Sequence, residues 1–259
     1  RGELRRRGLV RVLDEGGMGR GRASKLLVIK TEITIPGLRA RQEDLEDWFI
    51  PGSGLDSSRF ICRAVDKGEA LPAPDEVGGV IVTGSPAYVT DLAPWNHIAA
   101  DYLRSVHVSE KPILGVCYGH QLLAWAFGGE VGFHPNGREI GTIEVELTRE
   151  AADDTLFWTT PSEFRAQASH LQSVLSLPEQ AVLLARNSFE AHHAFRLGRS
   201  TWGVQFHPEF SAQTMTAYIS ERRADIAGEG GDVEELLAAV GTTPVSARLL
   251  RQFAALLDA

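Results

Sequence analysis

The stretch PILGVCYGHQLLAWAFGG, residues 112–129, decides the fold of this chain. It opens with a short apolar run of the size of a buried strand, and GHQLLAWAFGG is typical of a helix that ends at a glycine pair. The strand ends at Cys117, and the helix begins almost at once. Gly115 and Gly119 lie two residues on either side of this cysteine, as a tight strand-to-helix turn requires. The pattern predicts a cysteine held at the carboxyl end of a buried strand.

Strand-like and helix-like segments alternate on both sides of this stretch, which predicts an α/β chain with parallel strands and helices on both faces. A helix is expected over residues 94–106, and helices are expected again from about residue 211. We expect one domain, residues 25–259, with a helical C-terminal extension. The predicted strands are KLLVIKTE (25–32), RFICRAVD (59–66), GGVIVTG (78–84), REIGTIEVELT (138–148), QAVLLARNS (180–188) and STWGVQFHPEF (200–210).

Residues 1–24 differ from the rest in composition, with seven arginines against three acidic residues. We expect them to be a basic leader that is not part of the fold. A transit peptide is the alternative, but Glu3, Asp14 and Glu15 count against it because such peptides are poor in acidic residues.

The overall composition restricts the partners and the compartment. The 259 residues include 26 basic and 34 acidic side chains, for a net charge of −8, which argues against a protein built to bind nucleic acid or an anionic membrane. Only Cys62 and Cys117 are present, so there is no disulfide framework, as is usual in a reducing compartment. No apolar run approaches the ~20 residues of a membrane span. We expect a cytoplasmic protein.

Two further motifs supply partners for a reactive cysteine. GVQFHPE, residues 203–209, places His207 and Glu209 just beyond a buried strand, where the imidazole can take a thiol proton and the carboxylate can orient the ring. TGSP, residues 83–86, forms a turn after another buried strand and can aim a backbone N–H at the same point as the N–H of Tyr118. Two such donors make an oxyanion hole.

Each of these signals has an ordinary structural explanation when it stands alone. G-x-C-x-G occurs in plain strand–helix packing, and an isolated H-x-E is common in surface turns. A metal site on Cys117, His207 and Glu209 is the chemical alternative, but the close-spaced ligand pairs of zinc sites are missing. Neither a P-loop nor a dinucleotide fingerprint occurs. We therefore expect no metal and no cofactor.

Taken together, PILGVCYGHQLLA, GVQFHPE and the TGSP turn resemble the class I (triad) glutamine amidotransferases, most closely the glutaminase domain of GMP synthetase and its stand-alone relatives. The resemblance runs from about Lys25 to about Tyr218 and includes QASHLQSVLSLPE, which is similar to a Ser-His loop of that group. It implies a flavodoxin-like, doubly wound, mostly parallel sheet. The site residues that it implies are Cys117, His207 and Glu209 as catalytic triad, Ser85 and Tyr118 as oxyanion hole, and Gly84, Gln121, Ser169 and His170 as substrate-binding residues.

The function implied by the resemblance is hydrolysis of the γ-carboxamide of L-glutamine through a cysteinyl thioester, with ammonia released for a separate acceptor subunit. The alternative is a stand-alone γ-glutamyl peptide hydrolase with the same triad. Leu171-Gln172 replaces the Gly-Asp of the family's Ser-His loop, and no pyrophosphatase loop of a synthetase half is found, so the usual acceptor reaction is in doubt. Two other classes stay open: cysteine-elbow relatives resembling DJ-1, which lack the F-H-P-E pair, and a binding module that keeps the fold without catalysis.

Overall fold

The computed structural model describes residues 24–32 and 44–258. The basic leader predicted for residues 1–24 lies, except for Ser24, outside the described residues. In the described part, eleven strands and seven α-helices follow one another. The strands are β1 Leu26–Lys30, β2 Phe60–Ala64, β3 Gly79–Val82, β4 Ile113–Val116, β5 Glu130–Phe133, β6 Glu139–Leu147, β7 Glu163–His170, β8 Gln172–Ser176, β9 Val182–Arg186, β10 Ala194–Leu197 and β11 Thr201–Val204. The helices are α1 Leu45–Ser53, α2 Pro94–Val108, α3 Tyr118–Ala126, α4 Ala212–Glu221, α5 Arg223–Gly228, α6 Val233–Ala239 and α7 Pro244–Ala255.

Nine of these strands form one sheet in the order β2-β1-β3-β4-β11-β10-β9-β6-β7. The first five strands in this order are parallel to one another. The remaining strands pair in antiparallel fashion, and β5 pairs with β8 in a separate two-stranded sheet. The order β2-β1-β3-β4 is that of a doubly wound fold, in which ligands bind beyond the carboxyl ends of the strands.

Helices cover both faces of the parallel strands, because side chains that follow one another along a strand point to opposite faces. On one face, Leu26 and Ile81 pack in a core that includes α1 and α7. On the other face, Leu27 and Val80 pack in a core that includes α2 and α3. The predicted α/β fold with helices on both faces is therefore confirmed.

Four strands have no counterpart in the sequence-based prediction: β5, β7, β8 and β10. The Ser-His segment, expected as a loop, lies where β7 ends at His170 and β8 begins at Gln172, with only Leu171 between them. Gln172 and Ser173 are buried polar residues, so β8 lacks the apolar alternation by which strands are recognised.

The last helix is part of the main core. In the predicted helical C-terminal extension, α7 buries Leu249, Leu250 and Phe253 in the same core cluster as the parallel strands. The Phe253 ring packs edge-on against Trp202 in β11, with ring centroids 6.5 Å apart. None of the described helices is long and apolar enough to cross a membrane.

We expect Phe253→Ala to lower the free energy of unfolding by about 3–5 kcal/mol, because it leaves a cavity in a tightly packed core. Urea denaturation measures the change. Ile98→Ala on α2 is the control, because Ile98 is 56% exposed and its truncation should cost less than about 0.5 kcal/mol. Equal effects of the two substitutions would show that α7 is not part of the cooperative core.

Candidate active site

Cys117 lies at the junction of β4 and α3 in a backbone conformation that is rare for a residue with a side chain. Its φ is 51° and its ψ is −102°. Such a conformation costs of order 1–3 kcal/mol and is found mainly at functional sites. It places the sulfur at the N-terminus of α3, where free backbone N–H groups favour a negatively charged thiolate. The arrangement is that of a nucleophile elbow.

The two glycines predicted around the turn are required by close packing. A Cβ on Gly115 would lie 2.3 Å from the carbonyl oxygen of Gly119, and one on Gly119 would lie 2.5 Å from the carbonyl oxygen of Val82. Both gaps are shorter than any normal contact with a Cβ. Helix α3 can therefore start directly over β3 and β4 only if both positions are glycine.

His207 and Glu209 form a buried pair beside this cysteine. His207 Nδ1 is 2.7 Å from Glu209 Oε1, and the imidazole also interacts with the Cys117 thiol. The His207 backbone N–H donates to the Gln167 carbonyl in β7 at 2.8 Å, and the ring stacks on Phe210 with centroids 3.9 Å apart. The ring is thus held from two sides, and its other nitrogen, Nε2, is left for the sulfur.

The charges around His207 favour its protonated form. Burial lowers its pKa, but the Glu209 carboxylate and the Cys117 sulfur outweigh burial and raise the pKa to about 10. A protonated imidazole beside a sulfur stabilises the thiolate, which is the nucleophilic form of cysteine. His207 is therefore protonated at neutral pH and places a positive charge beside the sulfur.

The turn after β3 lies beside the imidazole of His207. Hydroxyl groups of two buried residues, Thr31 and Thr83, donate to the Gly84 carbonyl at 2.8 and 2.9 Å. Because the peptide is trans, the N–H of Ser85 points away from that carbonyl. A Cβ on Gly84 would lie 3.1 Å from His207 Cε1, so glycine lets this peptide approach the imidazole. The sequence prediction missed both threonines.

One small cavity, of about 40 Å³, joins most of the residues expected in the site. Gln121 is buried there, and its Nε2 donates to the Gln172 carbonyl at 2.7 Å and to Gln205 Oε1 at 3.0 Å. The Tyr118 side chain is anchored away from the sulfur by a 2.6 Å hydrogen bond to Asn96. The expected site residues that line the cavity are Cys117, Ser85, Tyr118, Gln121, Ser169 and His170.

Two arginines line the same cavity, and the sequence prediction missed them. Arg138 directly precedes β6 and makes a paired ion contact with Glu229, with both distances 2.8 Å. Arg222 follows α4. They come from segments far apart in the chain, and no motif marks either one. The only available signal was the positive charge of Arg138 at the start of a predicted strand.

A much larger groove lies at the other end of the parallel strands. Its volume is about 1080 Å³, and its lining includes Lys25, Gly78 and Pro112, which precede β1, β3 and β4. Size alone would favour this groove as the site. We assign the site to the small cavity instead, because the strained Cys117 lines it.

Several other residues with reactive side chains lie outside the cavity. His120 packs on Phe195, and burial lowers its pKa well below the ordinary value. His193 is buried beside Glu139, whereas His192 bonds the Val174 carbonyl. Cys62 is a half-buried free thiol in β2. Within residues 24–32 and 44–258, no group of three or more potential metal ligands is found.

Comparison with known proteins identifies the class. The family model described as glutamine amidotransferase class-I matches residues 62–225, which is more than half of the chain. The chain belongs to this family, whose members are enzymes.

Three curated relatives that match the chain are named either as GMP synthases or as a γ-glutamyl amide hydrolase. A glutamine-hydrolysing GMP synthase of Aeropyrum pernix is 33% identical over 208 residues, 78% of this chain but 36% of that protein. One subunit of the glutamine-hydrolysing GMP synthase of Methanococcus maripaludis is 35% identical over 55% of this chain and 70% of its own length. A γ-glutamyl-L-1-hydroxyisopropylamide hydrolase of a Pseudomonas species is 32% identical over 66% of this chain and 60% of its own length. The chain thus spans about a third of the first relative.

Solved structures agree with this family. A glutamine amidotransferase from Thermotoga maritima matches with a TM-score of 0.73 and 26% identity, and the match covers 92% of this chain and all of that chain. The flavodoxin-like, doubly wound fold expected from the resemblance is therefore confirmed.

The raised pKa of His207 predicts a stability that depends on pH. A group whose pKa is 6.5 in the unfolded chain and about 10 in the fold stabilises the fold in full below pH 6.5, and this contribution is lost as pH rises through 10. We expect the difference in unfolding free energy between wild type and His207→Asn to shrink over that range.

Urea denaturation at pH 6 and pH 10 measures this difference. Glu209→Gln serves as the companion variant, because removing the carboxylate removes a main cause of the raised pKa. We expect it to lose most of the same pH dependence. Differences that stay constant between the two pH values would contradict an imidazolium in the fold.

Proposed function

We propose that the chain is a glutaminase of the class I amidotransferase type, which hydrolyses the γ-carboxamide of L-glutamine through a cysteinyl thioester. The observation that carries the proposal is the strained elbow of Cys117 beside the buried pair of His207 and Glu209. A positive φ at a cysteine is costly, and the surrounding structure maintains it where a nucleophile has to be exposed.

The proposed reaction assigns each residue one role. The Cys117 thiolate attacks the γ-carbonyl carbon, and the N–H groups of Ser85 and Tyr118 receive the negative charge that develops on the oxygen. His207 donates its proton to the leaving nitrogen, so the C–N bond breaks and ammonia leaves. The base His207 then takes a proton from water, which attacks the thioester and releases glutamate and the thiol.

Charge and shape at the cavity suit the amino-acid end of glutamine. Arg138 and Arg222 provide positive charge for the α-carboxylate. Gln121 and the segment Ser169-His170 provide polar groups beside the sulfur, with the Ser169 carbonyl 3.8 Å from Cys117 Sγ. Gly84 has no side chain to crowd the His207 ring, which a Cβ at this position would approach to 3.1 Å.

We propose that a separate synthase subunit in the cytoplasm receives the ammonia. This follows from the Methanococcus relative, which is named as one subunit of a GMP synthase and of which the chain covers 70%. The thiols of Cys62 and Cys117 are both free, as is usual in a reducing compartment.

We expect the isolated chain to release ammonia and glutamate from L-glutamine in equal amounts, and Cys117→Ala to lower kcat at least about 10⁴-fold, because the thioester can no longer form. Ammonia release coupled to a dehydrogenase measures both proteins. The circular dichroism of the variant should match that of the wild type. Unchanged turnover by Cys117→Ala would contradict the thioester mechanism.

A γ-glutamyl amide hydrolase is the second candidate, and two observations favour it. One is the Pseudomonas relative, which is named as a hydrolase of a γ-glutamyl amide. The other is the presence of Leu171-Gln172 in place of the family's Gly-Asp. Gln172 Nε2 donates to Thr90 Oγ1 at 2.5 Å, which links residues 171–172 to the segment after β3.

The leaving amine distinguishes the two candidates. A glutaminase should have kcat/KM for L-glutamine at least about tenfold above that for γ-glutamyl dipeptides, whereas the hydrolase should show the reverse preference. Parallel assays of free glutamate with both substrates, with and without a candidate synthase partner, measure this ratio. Cleavage of the dipeptides alone would overturn the glutaminase proposal and support the second candidate.

A further inference from the structure

A buried carboxylate lies behind the catalytic cavity, and the proposed reaction does not use it. Glu139 begins β6 and faces His170 across the β6–β7 pair. Its Oε2 is 2.9 Å from His170 Nε2 and 3.2 Å from His193 Nε2, and its Oε1 accepts a 2.7 Å hydrogen bond from Asn187 Nδ2. Three side chains thus converge on one carboxylate that is only 7% exposed.

Both ring nitrogens of His170 have a partner. Its Nε2 is 2.9 Å from the Glu139 carboxylate, and its Nδ1 is 3.0 Å from the Gln172 carbonyl. Burial raises the pKa of Glu139, but the contacts with His170 and His193 outweigh it and hold that pKa well below the usual range. Glu139 is therefore ionised, and it fixes the orientation of the His170 ring.

The contact between Glu139 and His170 is connected to the wall of the cavity. We define the 169–172 corner as residues Ser169, His170, Leu171 and Gln172, all of which line the cavity. The Gln172 carbonyl accepts from His170 and also from Gln121, which the family resemblance places at the substrate. At the other end of the corner, the Ser169 carbonyl lies against the sulfur of Cys117.

We propose that Glu139 is a positioning residue, which through His170 holds the 169–172 corner in the form that binds the γ-glutamyl end of the substrate. The inference rests on the proposed function, because it needs a γ-glutamyl substrate in this cavity. It applies equally to glutamine and to γ-glutamyl amides, since both present the same end to the corner.

The test compares Glu139→Gln with wild type in steady-state kinetics on the preferred substrate. The neutral amide replaces the ionised carboxylate that His170 Nε2 faces, so the corner loses one charge-assisted contact. We expect KM to rise about tenfold while kcat changes less than about threefold, because substrate binding is lost and the triad is intact. A KM equal to that of wild type would overturn the inference.

The matched control is Asp154→Asn, which removes another buried carboxylate. Asp154 accepts from the Leu156 N–H, Arg196 Nε and Trp202 Nε1, and none of these residues lines the cavity. This variant should lower the melting temperature and leave KM within about twofold of wild type. An equal rise of KM in both variants would mean that lost stability, rather than a misplaced corner, causes the effect, and would overturn the inference.

Two alkylating reagents give a readout that does not need turnover. A diazo-ketone analogue of glutamine needs the corner to reach Cys117, whereas iodoacetamide is smaller, has no amino-acid end and needs only access to the sulfur. In Glu139→Gln we expect the inactivation rate with the analogue to fall about tenfold and the iodoacetamide rate to stay unchanged. Equal slowing with both reagents would overturn the positioning role.

The outcome for the proposed function is read separately, from the wild type. A wild-type chain that neither hydrolyses any γ-glutamyl substrate nor reacts with the analogue would overturn the proposed function and this inference with it.

If Glu139→Gln does not fold, Asn187→Asp takes its place. It keeps the Asn187 Oδ1 contacts to the Phe189 and Glu190 N–H groups but sets a second carboxylate against Glu139. The same two readouts then apply.

Discussion

The strained backbone of Cys117 is the constraint on which the rest of the site depends. A residue with φ of 51° persists only where its surroundings over-determine it. Here the Cys117 N–H donates to the Val204 carbonyl in β11 at 2.9 Å, and the Cys117 carbonyl accepts from the Gln121 N–H at 3.1 Å. The cysteine is thus bonded to the sheet on one side and to α3 on the other, and its sulfur is left at the edge.

Strand register then determines which groups the sulfur can meet. Gly115 of β4 pairs with Val82 of β3 on one side and with Gly203 of β11 on the other. Strands β3, β4 and β11 therefore end at nearly the same level along the strand direction, and the segments that follow them converge. The turn after β3 and the segment after β11, which carries His207, therefore both reach Cys117. Parallel pairing at the centre of the sheet brings these segments together.

This dependence on local geometry explains what could be predicted from sequence. The elbow, the FHPE pair and the TGSP turn each lie within a few residues of one strand end, so short motifs reveal them. Arg138, Arg222 and Glu139 reach the site or its support only through the pairing of β6 with β7 and the position of the segment after α4. Pairings between distant strands leave no short motif. For the same reason, the sequence pattern predicted a loop where the structure has the end of β7 and the start of β8.

Different parts of the fold thus carry the cysteine and the wall of the cavity. The parallel half carries the strained cysteine, and its packing leaves no room for change: even a methyl group at Gly115 meets backbone. The antiparallel half, the two-stranded sheet and the segment after α4 carry the cavity wall opposite, through His170, Gln172 and Arg222. None of these three residues belongs to the elbow, so substitutions in that wall change the shape and charge of the cavity without straining Cys117.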